Sequence, residues 1–154
     1  NVYSADQKVD GPYATAVANW MEYIKLGKAP FITGNGEQRR DMLHVDDAVS
    51  ANIFAMNYPK RFDGTFFDVG TGANISLNEV RQIVEKYHRK VKFDYVHERR
   101  GDVFLTKANI EPFKKIGWQA QIPLEQGLGE CFRQLEAFMS GVGRSKMRNQ
   151  EYKI

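Results

Sequence analysis

Short apolar stretches of four or five residues are mixed with longer amphipathic stretches, several of them closed by glycine, and this pattern restricts the chain to a fold of helices mixed with short strands. Ser76-Leu77-Asn78-Glu79 is the sharpest of the signals. A serine followed three residues later by a glutamate closes a capping box, and the helix it opens carries Leu77, Val80, Ile83, Val84 and Tyr87 on one face. A second helix is expected from Pro12 to Leu26, with Tyr13, Val17, Trp20, Met21 and Ile24 at helical spacing. Asp46 is expected to cap a third through about Asn57, with Val49, Ile53 and Met56 on one face. Asn109 to Ile116 reads as a short helix stopped by Gly117, and Leu124 to Phe138 as a long amphipathic one ending at Gly141. Strands are expected at Pro30 to Thr33, Asp41 to Val45, Thr65 to Val69 and Lys92 to Val96. Strand and helix do not alternate strictly, so the elements indicate α+β, or a part broken from an α/β protein.

The 154 residues suit one domain, and no apolar run reaches the roughly 18 residues of a membrane span. A lone Cys131 excludes a disulfide framework, and the chain opens without a signal peptide, so a cytoplasmic protein is expected. The first residue is Asn1 rather than Met, as in a piece of something longer. The formal net charge of +3 resides in the segment from Gly141 to Ile154; residues 1–140 hold eighteen charges of each sign. That segment reads as a basic, flexible tail behind a 1–140 domain, and the neutral body argues against nucleic-acid binding.

Two arginine pairs stand in turn-like settings. Arg39 and Arg40 follow Gly34-Asn35-Gly36-Glu37-Gln38, and Arg99 and Arg100 precede Gly101-Asp102. Guanidinium forks from two loops could clamp a diphosphate, and Asp102 could accept from the vicinal hydroxyls of a ribose. Spacing alone favours solvated arginines paired with Glu37, Asp41, Glu98 or Asp102, a common and weak arrangement. Gly70-Thr71-Gly72 has the start of a phosphate loop but lacks the third glycine, and also reads as a plain strand-to-helix turn. His44, His88 and His97 lack ligand spacing, so no metal is expected. Asp46 and Asp47 read as cap and dipole partner, and Cys131 as core.

Five blocks in order carry a resemblance. The run from Gly34 to Asp47 resembles the G-D-G-x-Q-x-R-D-x-x-x-V-x-D segment of nucleotide-sugar epimerases and dehydratases, which are extended short-chain dehydrogenase/reductases. Asn1-Val2-Tyr3 is similar to N-V-Y-G-P, Phe67 to Gly72 to F-N-V-G-T-G, Arg99 to Val103 to R-P-G-D-V, and Ile116-Gly117-Trp118 with Leu124 to Leu128 to L-G-W…L-E-E-G-L. The match runs from Asn1 to about Phe138 and covers only the C-terminal, sugar-nucleotide-binding half of that family.

The resemblance implies an α/β parent with an N-terminal Rossmann half that binds NAD or NADP and works by hydride transfer at the sugar C4. Neither the family's glycine-rich dinucleotide motif nor its Tyr-x-x-x-Lys pair occurs here, since no tyrosine has a lysine four positions on. No catalytic residue and no cofactor of its own is therefore expected for this chain. The resemblance places Arg40 and Arg99 on the diphosphate of a nucleotide diphosphate-sugar and Asp102 on the ribose. Asn1 would lie near the diphosphate or sugar, with Phe31, Ile32 and Thr33 edging the base. Arg39 and Arg100 remain with the solvated reading. Thr33 stands where the family carries an aromatic, Ser4-Ala5-Asp6 replaces the residues after N-V-Y, and Asp68 replaces an asparagine. Apolar surface bared by an absent Rossmann half would lead the chain to self-associate or to dock to that half. The competing reading is a stand-alone, non-catalytic module for a sugar nucleotide or a protein partner.

Overall fold

The computed structural model describes residues 1–9 and 14–141. Six short strands and five helices make an α/β fold: β1 (Val2–Tyr3), α1 (Ala16–Lys25), β2 (Phe31–Thr33), β3 (Arg39–Arg40), β4 (Leu43–His44), α2 (Val45–Asn57), β5 (Ile75–Ser76), α3 (Leu77–Tyr87), β6 (Asp94–Val96), α4 (Glu111–Lys115) and α5 (Leu124–Met139). The strands pair two by two. β1 runs parallel to β4, β2 parallel to β6, and β3 antiparallel to β5.

The main core lies between α1, α3 and α5. Val17, Trp20, Met21 and Ile24 meet Val80 and Val84 and the Leu128, Cys131, Phe132 and Leu135 stripe. The 3.6-residue periodicity of these helices selects those positions, and their burial is the main stabilising contribution. Close approach of α5 depends on two glycines. A Cβ at Gly127 would collide with the Tyr3 hydroxyl, and one at Gly129 would lie 2.6 Å from the Tyr87 hydroxyl. A smaller cluster of Ala51, Phe113 and Trp118, with Phe54 and Phe67 against it, joins α2 to α4.

The capping box forms as expected: Ser76 Oγ accepts from the Glu79 N–H at 3.1 Å, and Glu79 Oε2 accepts from the Ser76 N–H at 2.8 Å. α1 begins at Ala16 with Thr15 as its cap, later than the expected start; Pro12 and Tyr13 lie outside the described residues, as do 142–154 of the expected tail. Three other expectations are corrected. α2 is capped by His44, whose Nδ1 accepts from the Asp46 N–H at 3.2 Å; the helix starts one residue before the expected cap. Its Val49, Ile53 and Met56 are exposed, because the face bearing Asp47, Ala51 and Phe54 is the one that meets α4 and Trp118. Thr65 to Val69 is no strand: it has no pairing partner among the described residues, and Phe66 is 88% exposed. β3 and β5 are too short to leave a periodic signal, and pair because Arg39 and Ser76 fall opposite one another.

Two carboxylates tie loops to this frame. Asp47, 3% exposed, accepts from the Gln121 and Ile122 N–H groups at 2.9 and 3.0 Å, holding the approach to α5. Asp41 accepts four hydrogen bonds: from the Thr71 N–H (2.9 Å), the Thr71 hydroxyl (2.6 Å), the Gly72 N–H (3.0 Å) and the Ala108 N–H (3.1 Å). A buried carboxylate satisfied this way leaves four donors stranded when removed. Asp41→Ala should therefore lower the unfolding free energy by about 3 kcal/mol or more, read from urea denaturation; a loss below about 1 kcal/mol would refute the tether.

Hydrogen bonds from the Ser76 N–H and hydroxyl, with Arg39 beside them, hold the Glu79 carboxyl below its ordinary value of 4.5. A carboxyl lowered by folding adds stability that is present above its ordinary value and is lost as pH falls through the folded value. The stability gap between wild type and Glu79→Gln, followed by thermal melts from pH 7 to pH 3, should shrink with acid. A pH-independent gap would contradict this account of the box.

Candidate functional site

Arg40 ends β3, where Arg39 pairs with Ser76 and Arg40 with Ile75. The chain returns past it: the Arg39 N–H donates to the Phe104 carbonyl at 2.7 Å, and the Thr106 N–H donates to the Arg39 carbonyl at 3.1 Å. This brings the 99–106 segment alongside β3. The Arg99-Arg100-Gly101-Asp102 turn is closed by the Asp102 N–H on the Arg99 carbonyl at 3.1 Å. Arg40 Nη2 then meets Asp102 Oδ1 at 2.6 Å, a short charge-assisted contact, while Nη1 donates to the Arg39 carbonyl at 2.9 Å.

This pair borders a cavity of about 250 Å³ whose lining includes Asn1, Phe31, Thr33, Arg40, Arg99 and Asp102. Six of the seven residues expected from the sequence therefore converge, although they come from stretches up to 101 positions apart. Ile32 does not. It is 1% exposed and belongs to the main core, because alternate residues of a strand point to opposite sides. Arg99 makes no side-chain ion pair among the described residues, so its guanidinium is available at the cavity. Thr33, Arg99 and Asp102 also line an adjoining cleft of about 510 Å³ with Arg100 and Phe104. Beyond Arg40 and Met42 a further cavity of about 460 Å³ is walled by Ile75, Gln121 and Leu124.

Asn1 donates from its side-chain amide to the Thr106 hydroxyl at 3.3 Å, which orients it at the cavity mouth. Arg39 turns away: it donates to the Asn74 side-chain and backbone oxygens at 2.7 and 3.1 Å, and pairs with Glu79 at 3.0 Å. Its role is to hold α3 to β3, a pairing not among those weighed from the sequence. Asp68, the departure from the family motif, accepts from the Asn109 N–H at 3.0 Å and so secures the approach to α4.

The glycine loop is not an anion cradle. The N–H groups of Thr71 and Gly72 that would face a phosphate already bind the Asp41 carboxylate. The described residues thus offer no fit for the pyrophosphate of a dinucleotide at that loop. No three His, Cys, Asp or Glu side chains gather among them into a set able to hold a metal ion. Burial pushes the Cys131 thiol up to about 11, which suits a core residue and not a nucleophile. Among the described residues no helix is long and apolar enough to cross a membrane.

Sequence reasoning missed the wall that α1 and the residues before it supply. Trp20 and Asn19 of α1 both line the cavity. Trp20 reads from the sequence as a core residue, which it also is; its indole N–H, bonded to the Phe31 carbonyl at 2.8 Å, is the part no periodicity shows. Gln38, a buried member of the glutamine-arginine motif, holds the other end of β2 by donating to the Thr33 carbonyl at 2.8 Å.

Known proteins resemble this chain in sequence and fold. A UDP-glucuronate 4-epimerase of Thermodesulfobacterium geofontis is 30% identical over 116 residues, which is 73% of this chain and 35% of that protein. A CDP-abequose synthase of Salmonella muenchen is 33% identical over 96 residues, 59% of this chain and 32% of that protein. The solved UDP-glucose 4-epimerase of Thermotoga maritima, with UDP-glucose, superposes with a TM-score of 0.78 at 30% identity, covering 92% of this chain and 44% of that one. The chain thus spans less than half the length of these relatives. Residues 1–70 match the model of the NAD dependent epimerase/dehydratase family.

Proposed function

We propose that this chain is the C-terminal, substrate-binding part of an NAD(P)-dependent nucleotide-sugar epimerase or dehydratase. The observation that carries the reading is the convergence of Asn1, Phe31, Thr33, Arg40, Arg99 and Asp102 on one cavity. Enzymes of this class oxidise the sugar C4 hydroxyl by hydride transfer and then re-reduce or dehydrate the ketone. No residue of this chain is assigned to that step. NAD or NADP would be held by residues outside it, which agrees with the closed glycine loop and the lack of a Tyr-x-x-x-Lys pair. Alone, the chain is expected to bind a nucleotide diphosphate-sugar weakly and not to turn it over.

The charges of the cavity have a division of labour. Arg40 and Arg99 put two permanent positive charges on its wall, and Asp102 one negative. In the free protein the Asp102 carboxylate occupies one edge of the Arg40 fork. A diphosphate entering between the arginines would take over that fork, leaving Asp102 to accept from ribose hydroxyls. Binding energy gathered here is remote from the reacting carbon, where it can hold the sugar for chemistry elsewhere.

Arg40→Ala and Arg99→Ala should each weaken binding of a nucleoside diphosphate by about 1.5–3 kcal/mol in calorimetry, and unchanged affinity in both would remove the clamp. Asp102→Ala should weaken nucleotide binding yet leave inorganic pyrophosphate bound as tightly or more tightly, because Arg40 is freed. Parallel losses for both ligands would contradict the ribose role.

The partner is expected to be the chain's own N-terminal Rossmann half or, in its absence, a second copy. Exposed Val49, Ile53 and Met56 on α2, with Phe66 and Val69 beyond it, form the surface such a partner would cover. Sedimentation of the 154-residue chain should show concentration-dependent association that Ile53→Lys with Met56→Lys reduces. A monomer at every concentration would overturn the self-association. A natural polypeptide ending near 18 kDa would favour the stand-alone binding module over the enzyme part.

A further inference from the structure

We propose that β6 is a docking edge for a second copy of this chain. Two β6 strands pair antiparallel about a two-fold axis at Tyr95, joining two β2–β6 ladders into one four-stranded sheet. The inference does not rest on the nucleotide reading, and it uses a different element from the exposed face of α2.

The register of β6 leaves one of its edges free. The Asp94 N–H donates to the Pro30 carbonyl and the Gly34 N–H to the Val96 carbonyl, each at 2.9 Å. Asp94 and Val96 therefore turn their peptide groups toward β2, while Phe93, Tyr95 and His97 turn theirs away. Among the described residues no third strand takes up that edge. Edges in folded proteins are usually blocked by a proline, a bulge or a covering segment. Residues 91–99 contain neither proline nor glycine and no turn, and Asp94, Tyr95 and Val96 are all exposed.

Charge is the other usual defence of an edge, and here its pattern selects a partner instead. Alternation places Lys92, Asp94, Val96 and Glu98, all exposed, on one face of the strand. About a two-fold axis at Tyr95, antiparallel pairing sets Lys92 of each copy opposite Glu98 of the other, and Asp94 opposite Val96. Both are pairs of the closer, non-hydrogen-bonded kind, with Cα atoms about 4.5 Å apart. Tyr95 meets its own equivalent and Phe93 meets His97, and these pairs use the free peptide groups. Neither Lys92 nor Glu98 has an ion-pair partner of its own among the described residues.

The neighbouring registers are worse. An axis at Asp94 sets that carboxylate against its own copy, and an axis at Val96 sets Asp94 against Glu98; like charges directly opposite are destabilising. Axes at Phe93 or His97 run the ladder into the turns at 89–90 and 100–101 and shorten it. The backbone bonds of strand addition supply the affinity, and the side chains of the exposed face supply the register. One short strand from each copy buries less than a standard interface, so the dimer is weak. Each ion pair is also weak by itself, and choosing the register is what the two of them do.

The test is sedimentation equilibrium of the 154-residue chain carrying Ile53→Lys and Met56→Lys, which removes association through α2. A dimer should persist. Lys92→Glu or Glu98→Lys alone should weaken it about tenfold, and the two together should restore it to within about threefold. Circular dichroism melts check that these surface variants are folded. A second arm traps the register. Asp94→Cys and Val96→Cys proteins, mixed and oxidised, should cross-link mainly one variant to the other, because 94 lies opposite 96 and neither lies opposite itself. Intact mass distinguishes the pairs, and the native Cys131 is buried and does not interfere. A chain that stays monomeric and does not cross-link overturns the proposal. Single reversals without effect, or a double variant as weak as the singles, overturn the charge register. Cross-links in statistical proportion overturn the axis at Tyr95.

Discussion

The Asp41 carboxylate is the interaction on which the site's geometry rests. It lies between Arg40 and Met42, so whatever fixes it fixes the β3–β4 corner. Its partners come from 71–72 and from 108, two segments with no regular structure of their own. Gathering them brings the 99–106 return alongside β3 and so sets Asp102 against Arg40. Each donor it satisfies is a part-buried backbone or hydroxyl group. The same bonds decide a chemical question. A loop of the form Gly-x-Gly can bind an anion, and here the anion is internal.

Electrostatics in the cavity follow the same logic on a smaller scale. Two arginines facing an empty cavity would repel one another, and Asp102 offsets part of that cost while leaving Arg99 without an ion-pair partner among the described residues. Such an arrangement discriminates by charge count. A ligand with one negative charge gains little by displacing Asp102 from Arg40, whereas a diphosphate can satisfy both forks together. The contact is partly solvated, since the Asp102 side chain is 31% exposed, so exchange of Asp102 for a ligand oxygen has a low barrier in electrostatic terms.

Local chemistry was legible in the sequence, and long-range pairing was not. The Ser76–Glu79 box and the α5 stripe form because capping and helical periodicity act within four residues or one face. The convergence of Arg40, Arg99 and Asp102 was legible only through the order of the motif blocks; spacing alone favoured surface pairing. β3 and β5, two residues each, have no period to read. His44 as the cap of α2 escaped notice because histidine accepts at Nδ1 only in one tautomer, while the adjacent aspartates satisfy the usual composition rule. Ile32 was grouped with its neighbours as a base-edging residue, although strand alternation sends it to the core.

The remaining disagreements share one physical cause. Thr65 to Val69 has strand composition without a strand, and Val49, Ile53 and Met56 have core spacing without a core. Periodicity in a sequence records the environment in which the chain is packed, so apolar positions that stay exposed mark contacts this chain does not make with itself. β1 and β4 point the same way. Parallel strands are ordinarily covered on both faces and flanked by further strands, yet among the described residues this pair has no third strand, and Val2 is 40% exposed. On the proposed reading all three features face the Rossmann half. The places where sequence logic failed for the isolated chain are then those where it is correct for the assembled one.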